Sequence, residues 1–318
     1  MLLVMVVAVQ RAPARADDPV ADEPAPTRVQ APPAAAAVPV PLTPASGTAG
    51  KVVASVPASA GLVVAVLDRV TGERALGPGA TEPVYTASLV KLVVAVDILD
   101  RSRSAGSRID DGDRDLLRRA LSRSDDAAMN QLWVQFDGVG APARVSAALG
   151  LTATTAPRDP SQWGESRASA ADLLVVVDHV LTGMAPDDRA LVLGDLRDAT
   201  PTAADGFGQD YGLLDARASG EGPPVLAKQG WMCCVSGERY LHSIGAVGAD
   251  QRFVVALLST RPRGTGWDAA RAELNSAART VLAGVDGGRA DGPGRNPWFR
   301  NGPLGCATSI PASVASRP

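Results

Sequence analysis

The chain has 318 residues, of which 46% are hydrophobic and 20% are charged. This composition is typical of a globular protein and excludes a fibrous or wholly disordered chain. The formal net charge of −3 provides no basic surface for nucleic acid, so we expect no nucleic-acid partner.

The N-terminus has the features of an export signal. Residues 2–9 are apolar, and the small-x-small sequence Ala14, Arg15, Ala16 follows them. We therefore predict a signal peptide over residues 1–16 and an exported protein, extracellular or associated with the cell wall. This apolar run is too short to span a bilayer, so we expect no membrane span. No cysteine follows it, which argues against a lipid anchor; an apolar tail on a cytosolic protein is the alternative.

Two low-complexity segments flank the folded part of the chain. Residues 17–50 are dominated by Ala, Pro, Val and Thr without a period, which predicts a disordered tether. Residues 287–318 form a second segment, rich in Gly, Pro, Arg and Asn, which we interpret as a C-terminal tail. One globular domain is therefore expected over residues 51–286.

The elements of this domain follow a simple order. Residues 61–68 form a buried-strand pattern, Thr71 and Gly72 mark a turn, and a short second strand precedes the apolar stretch 88–99. Helical patterns then cover residues 112–122, 125–136, 141–149, 169–183 and 186–199. Strand patterns return at residues 225–229, 237–247 and 252–259, and a last amphipathic helix covers 267–283. This order predicts an antiparallel sheet completed by both ends of the domain, with an all-helical insertion and a cleft where the two meet.

Lysine is rare in this chain. Its 31 basic residues comprise three lysines and 28 arginines (31 minus 3), so each remaining lysine suggests a need for a titratable ammonium. Lys91 follows Ser88 by one helical turn, in a segment that is apolar all around the helical wheel and should be buried. Burial disfavours the charged form of lysine and lowers its pKa, so Lys91 could accept the proton of Ser88 near neutral pH. The sequence thus supplies a nucleophile and a base without histidine.

Two further motifs follow in the chain. They are Ser124, Asp125 and Asp126 at the head of a predicted helix, and Lys228, Gln229 and Gly230 on a predicted strand. With Ser88 and Lys91 they resemble the S-x-x-K, S-D-N and K-T-G motifs of the penicillin-recognising serine enzymes, the class A β-lactamases and D-Ala-D-Ala peptidases. The resemblance covers roughly residues 60–284. It implies an α/β fold (α+β sandwich), β-lactamase/transpeptidase-like, with a five-stranded antiparallel sheet flanked by helices plus an all-helical subdomain.

The resemblance also implies roles for these residues. Ser88 would be the acylated nucleophile, Lys91 its general base, and Ser124 the relay of the proton to the leaving nitrogen. Lys228 would hold the substrate carboxylate, and the backbone N–H groups of Ser88 and Trp231 would form the oxyanion hole. A β-lactam or a peptidoglycan-derived peptide would bind against Asp126, Lys228, Gln229, Gly230 and Trp231. No cofactor or metal is expected, and we expect a monomer.

Three departures from the family motifs bear on activity. Asp126 replaces Asn with an acceptor-only carboxylate, which would keep Lys91 protonated if it were ionised. Gln229 replaces Thr and is the longer side chain. The loop 152–168 lacks the E-x-x-L-N pattern, and its only glutamate, Glu165, is the one candidate for deacylation. We predict a serine hydrolase that deacylates slowly; the alternative is a catalytically degenerate homologue that binds a cell-wall peptide or a partner protein.

Ordinary structural roles are the alternatives for the motif residues. Ser88 and Ser124 could cap helices. Lys91 could extend its ammonium to solvent, and Lys228 could pair with a carboxylate on an edge strand.

The cysteines and histidines give weaker signals. Neighbouring residues on a strand face opposite sides, so only one of Cys233 and Cys234 could easily reach Cys306 and tie the tail to the domain. Buried free thiols are the alternative. His179 and His242 are isolated in the sequence, so we expect neither a catalytic nor a metal-binding role for them.

Overall fold

The computed structural model describes residues 47–106, 109–215, 223–248 and 250–287. Its strands are β1 (Leu62–Asp68), β2 (Glu73–Leu76), β3 (Val84–Tyr85), β4 (Arg167–Ala168), β5 (Val225–Val235), β6 (Glu238–Val247) and β7 (Phe253–Pro262). Its α-helices are α1 (Thr48–Ser55), α2 (Val90–Ser104), α3 (Asp111–Ser122), α4 (Asp126–Gln135), α5 (Ala141–Leu149), α6 (Ala170–Thr182), α7 (Pro186–Arg197) and α8 (Trp267–Gly287).

Five strands form one antiparallel sheet in the order β2-β1-β7-β6-β5. In its register Ala256 of β7 lies between Ala65 of β1 and Ile244 of β6. The two ends of the domain therefore meet in the centre of the sheet, and the helices α2 to α7 are inserted between them. Strand β5, which carries Lys228, lies at the edge of this sheet, so one side of its backbone has no partner strand among the described residues.

Both faces of the sheet are covered. Along β7, Val254, Ala256 and Leu258 pack into the core that contains α2 and α6, whereas Val255 and Leu257 pack into the core that contains α1 and α8. This alternation follows from the two-residue period of a strand. Because both faces are buried, the strand is a continuous apolar run in the sequence.

Helix α2 lies inside the first of these cores. Every residue from Val90 to Leu99 is buried, including Lys91 and Asp97. A helix that is apolar all around must be covered on every side, as the sequence predicts. The segment at its N-terminus that carries Ser88 is thereby fixed to a rigid part of the fold.

The predicted fold class is confirmed. The five-stranded antiparallel sheet, the flanking helices and the helical insertion are all present. Helix α1 begins at Thr48, within the segment 17–50 that we predicted to be a tether. The predicted leader 1–16, the rest of the tether and residues 288–318 lie outside the described residues.

The cysteines near the end of β5 differ from both alternatives that we derived from the sequence, a disulfide to Cys306 and buried free thiols. Cys233 and Cys234 are joined to each other in a disulfide, so neither is a free thiol and neither pairs with Cys306, which lies outside the described residues. The alternation of neighbouring side chains requires a regular strand at this point. The strand register shifts between Cys233 and Val235, so the simple alternation of side chains does not hold there.

Candidate active site

Ser88 lies on a short 3-10 turn, Ala87–Leu89, that leads directly into α2. Thr86 anchors this turn, because its backbone N–H and its hydroxyl both donate to the carbonyl of Ser166, at 2.8 and 3.0 Å. Ala87 has a φ of 47°, a left-handed conformation that costs a non-glycine residue roughly 1 kcal/mol or more. The surrounding contacts thus hold Ala87 in a conformation that the isolated segment would avoid, and this fixes the neighbouring Ser88 in place.

The amine of Lys91 contacts four oxygen atoms. Its Nζ lies 3.0 Å from Ser88 Oγ, 2.6 Å from the Ser124 carbonyl, 3.2 Å from Ser124 Oγ and 2.6 Å from Asp126 Oδ1. The carbonyl and the carboxylate can only accept, so they require two N–H groups. A neutral amine has two N–H groups and keeps its lone pair for the Ser88 proton. The geometry therefore accommodates a neutral Lys91 as well as a charged one.

The charge of Lys91 depends on two opposing effects. Burial, the larger of the two, lowers its pKa, and the adjacent carboxylate of Asp126 raises it, with a net pKa below the usual range. The Lys91 side chain is fully buried, whereas the Asp126 side chain is 60% exposed. The indole of Trp163 lies over Nζ with its ring centroid at 4.8 Å and keeps bulk water from this side of the amine.

Ser124 is presented by the turn between α3 and α4. Its φ of 50° is again left-handed. The N-cap of α4 is Asp125, whose carboxylate accepts from the N–H groups of Ala127 and Ala128 and from Arg119. Because Asp125 performs the capping, the alternative role of Ser124 as the helix cap does not apply. Its hydroxyl is left for the two lysines.

Lys228 reaches the same hydroxyl from the edge strand β5. Its Nζ donates to Ser124 Oγ at 2.9 Å and to the Gln229 carbonyl at 2.8 Å. Burial holds the pKa of Lys228 well below its usual range, and the neighbouring charge of Lys91 lowers the pKa further. The structure thus brings Ser88, Lys91, Ser124 and Lys228 into one hydrogen-bonded chain.

Gly230 allows β5 to approach the turn Ala87–Leu89, which carries Ser88. A Cβ atom at this residue would lie 2.9 Å from the Thr86 carbonyl oxygen and 3.2 Å from the Leu89 nitrogen. Both are backbone atoms that cannot move aside without deforming the turn. The next residue, Trp231, lines the cleft, and its indole stacks on Phe207 with the ring centroids 4.8 Å apart.

Gln229 points away from this chain of contacts. Its side chain is buried, and Nε2 donates to the carbonyls of Gln209 and Tyr211. Glu165, the residue considered for deacylation, is half-buried in the 3-10 turn Trp163–Glu165 and is not among the residues that line the cleft. The structure therefore places Gln229 under the loop that contains Tyr211, and Glu165 beside the cleft.

The cleft itself has a volume of about 330 Å³. Its lining residues are Ala87, Ser88, Asp126, Asn130, Ser161, Gln162, Trp163, Gly164, Trp231 and Met232. Trp163 and Asn130 were not predicted from the sequence. Their indole N–H and side-chain carbonyl are 2.8 Å apart, which ties the loop to α4. A tryptophan in an otherwise polar loop was the available signal for this contact.

The two histidines lie outside this chain of contacts. His179 Nε2 lies 2.6 Å from Asp100 Oδ2, and His242 bridges the Tyr85 carbonyl and the Ser259 nitrogen. No group of three or more His, Cys, Asp or Glu side chains within the described ranges could hold a metal ion. Within the same ranges, no helix combines the length and apolar character required to cross a membrane.

Solved structures place this fold among the class A β-lactamases. A class A β-lactamase from Bacteroides cellulosilyticus superposes with a TM-score of 0.60 at 14% identity, over 77% of this chain and 99% of that one. A β-lactamase from Sphaerobacter thermophilus gives a TM-score of 0.57 at 19% identity, over 77% and 98% of the two chains. The described domain therefore has the β-lactamase fold.

Sequence comparison identifies a narrower family. The chain is 36% identical over 225 residues to proteins named "Putative lipoprotein LppW" from Mycobacterium tuberculosis and Mycobacterium bovis, which covers 70% of this chain and 69% of each relative. The chain belongs to the LppW family. A comparison with models of known protein families found no match.

Proposed function

We propose that the protein is an exported serine hydrolase of the β-lactamase or D-Ala peptidase type, with Ser88 as its nucleophile. The observation that carries this proposal is the distance of 3.0 Å between Ser88 Oγ and the buried amine of Lys91. The substrate is a β-lactam or a peptidoglycan stem-peptide amide, which the cleft would receive above Ser88. The β-lactamase fold supports the proposal at the level of the fold alone.

Acylation proceeds through the hydrogen-bonded chain. Ser88 Oγ attacks the carbonyl carbon as its proton passes to the neutral Lys91 amine. The C–N bond then breaks, and the leaving nitrogen takes a proton from Ser124, which regains one from Lys91. The products are an ester on Ser88 and a free amine, which remains attached when the substrate is a lactam ring.

The remaining residues of the cleft bind the reacting groups. The backbone N–H groups of Ser88 and Trp231 stabilise the oxyanion, and removal of one such donor typically costs about 2.7 to 4 kcal/mol. A substrate carboxylate would favour the charged form of Lys228 against the effect of burial, so that Lys228 binds this group. Lys228 also favours proton release at Ser124, which it contacts at 2.9 Å. Gly230 keeps strand β5 close enough for both functions.

Deacylation is the slow step of this proposal. Water must attack the ester on Ser88, which breaks the C–O bond and releases a carboxylic acid, and this attack needs a base beside the ester. The loop 152–168 brings the indole of Trp163 to the Lys91 amine, while Glu165 is not among the cleft-lining residues. The acyl-enzyme would therefore persist.

The proposed location is outside the cytoplasm, at the cell surface or in the cell wall. The name of the mycobacterial relatives describes them as lipoproteins, which supports export of this chain. The apolar segment 2–9 and the following Ala14, Arg15 and Ala16 support the same location.

A second candidate function is binding without catalysis. The observation that favours it is the contact of 2.6 Å between Lys91 Nζ and Asp126 Oδ1, because a carboxylate stabilises the charged amine that cannot act as a base. In this case the cleft would bind a cell-wall peptide or a partner protein and leave it intact.

Intact-mass spectrometry after exposure to benzylpenicillin tests the nucleophile. We expect a persistent adduct on the wild-type protein and none on Ser88→Ala. Ser104→Ala, which removes an exposed hydroxyl from α2, is the matched control and should be labelled like the wild type. An unlabelled wild-type protein, under conditions that label a known penicillin-binding enzyme, would refute acylation, and equal labelling of Ser88→Ala would refute the assignment of the nucleophile.

A further inference from the structure

A second cavity adjoins the cleft that contains Ser88. It has a volume of about 630 Å³ and lies between α4 and residues 160–163. Asn130, Ser161 and Trp163 line both spaces, so the second cavity begins where the cleft ends. Its other lining residues are Trp133, Val134, Asp137, Val139 and Pro160. The acylation chemistry proposed above makes no use of this cavity.

The two indoles of the cavity offer carbon surface rather than hydrogen-bond donors. Trp133 Nε1 donates to the Pro160 carbonyl at 2.8 Å, and Trp163 Nε1 donates to Asn130 Oδ1 at 2.8 Å. An indole has only this one donor. Both rings are therefore held in place by their N–H groups. Trp133 is 6% exposed, whereas Trp163 is half-buried with one face over the Lys91 amine, so Trp163 supplies most of the indole carbon surface that a ligand could contact.

The rest of the lining also favours an uncharged group. Val134 is 83% exposed and lines the cavity, so its side chain is available to an apolar group bound there. The carboxylate of Asp137 is paired with Arg144 at 2.6 Å, and Arg144 also contacts Asp97, which pairs in turn with Arg101. The two carboxylates and two guanidinium groups balance one another. An apolar group in this cavity would cover Val134 and displace water from the exposed part of the Trp163 indole.

The spacing along α4 sets the length of the ligand. Asp126 contacts the Lys91 amine, Asn130 follows one turn later at the shared boundary, and Val134 follows after another turn. At about 1.5 Å per residue, the eight residues from Asp126 to Val134 span about 12 Å. An extended peptide covers this distance with three to four residues at about 3.3 Å each.

We propose that this cavity is a subsite for an apolar side chain of the acyl donor, about three residues before the residue that acylates Ser88. The inference rests on the proposed function, because Ser88 defines the start of the ligand. It narrows the substrate class to an extended peptide of at least four residues, since a compact lactam with a small side chain would leave the cavity empty.

Two matched peptide esters test the subsite. Both end in D-Ala-D-lactate, and they differ only three residues before the D-Ala, where one carries Phe and the other Ser. The measured quantity is the ratio of their second-order rate constants for acylation, by intact mass. We expect about tenfold preference for Phe in the wild type, the value of a partly buried aromatic group, and a ratio near one in Val134→Arg.

Val70→Arg is the matched control. Val70 is a similarly exposed valine, 75% exposed, in the turn between β1 and β2. This variant should keep the wild-type ratio. A wild-type ratio near one, or an unchanged ratio in Val134→Arg, would overturn the subsite.

Binding to Ser88→Ala separates this inference from the proposed function. Calorimetric titration of the same peptides into that variant requires no acylation, and we expect the Phe peptide to bind about tenfold more tightly than the Ser peptide. Addition of Val134→Arg should abolish the difference. If the wild type is never acylated but Ser88→Ala still binds the Phe peptide more tightly, the proposed acylation is wrong and the subsite is supported. If the two peptides bind equally, or neither binds, the subsite is rejected.

Discussion

The carboxylate of Asp126 decides which of the two proposed functions the Lys91 amine can serve. A base must be neutral, and burial alone drives Lys91 towards the neutral form. Asp126 opposes this from a largely exposed location 2.6 Å away. An amide at residue 126 would keep the hydrogen bond and remove the opposing charge.

Asp126→Asn should therefore accelerate acylation of Ser88. Removal of the carboxylate lowers the pKa of Lys91 further, so the rising limb of the pH–rate profile moves to lower pH, with a gain of about tenfold near pH 7. The measurement is the rate of adduct formation with a fluorescent penicillin between pH 5 and 9. Asp178→Asn on α6, which breaks an ion pair with Arg69, is the control and should leave the profile unchanged.

The same variant separates the two functions. Turnover of a chromogenic cephalosporin by Asp126→Asn, but not by the wild type, would indicate an enzyme held inactive by one charge. Inertness of both forms would favour the binding function.

Several residues of strand β5 contact the candidate site together. Because β5 lies at the edge of the sheet, its backbone can approach the turn Ala87–Leu89 that carries Ser88. Lys228 and Gly230 face that turn, whereas Gln229 and Trp231 carry their side chains towards Tyr211 and Phe207. This alternation is the ordinary period of a strand. The separation between β5 and the turn is set by the absence of a side chain at Gly230.

Gly230→Ala should move β5 away from Ser88 while the protein stays folded. The new Cβ would meet backbone atoms at 2.9 and 3.2 Å, so the strand must shift and the Trp231 N–H leaves the oxyanion position. We expect the acylation rate to fall by about 100-fold. Gly194→Ala, whose Cβ would meet no atom within 4 Å, is the control. Thermal unfolding followed by circular dichroism reports folding, and an unchanged acylation rate in Gly230→Ala would contradict the role of this close approach.

The stability of the domain also depends on a buried histidine that lies opposite Gly230 in the sheet. His242 on β6 donates from Nε2 to the Tyr85 carbonyl at 2.9 Å and accepts at Nδ1 from the Ser259 N–H at 3.2 Å. Burial lowers its pKa to about 4. The neutral ring therefore links β3 and β7 to β6. Protonation at Nδ1 would place an N–H donor of the ring against the N–H donor of Ser259, and the hydrogen bond between them would be lost.

Acid should weaken the fold through this residue. The unfolded chain takes up the proton of His242 near pH 6.5, whereas the folded protein resists until about pH 4. Stability is therefore complete above pH 6.5 and is lost as the pH falls through this window, by at most about 3 kcal/mol. Urea unfolding at pH 7 and pH 4.5 should show a smaller decrease for His242→Gln than for the wild type. His179→Gln replaces the only other histidine and should behave like the wild type.

Local patterns in the sequence were sufficient to predict the positions of most helices and strands. Helix α5 has the predicted bounds 141–149, because a proline follows its first residue and Gly150, with a φ of 70°, ends it. The continuous apolar run of β7 predicted a strand buried on both faces. Helix α1 was missed because it directly follows a Pro- and Ala-rich segment whose composition suggested disorder.

The candidate site was predictable only in part. The rarity of lysine drew attention to Lys91 and Lys228, and the motif order related them to Ser124. The contact between Trp163 and Lys91 joins a loop to a helix that is distant in sequence, so no local pattern predicts it. The direction of the Gln229 side chain did have a signal, since residues adjacent on a strand alternate between faces.

The burial of two lysines means that few lysine side chains are available for chemical labelling. Lys91 and Lys228 are each 1% exposed, whereas Lys51 on α1 is open to solvent. An amine-reactive dye used at limiting concentration should therefore label one lysine of the described residues, Lys51. This residue lies on α1, which packs against α8 and does not line the cleft. A fluorophore attached there would report peptide binding by fluorescence anisotropy and leave Ser88 unblocked.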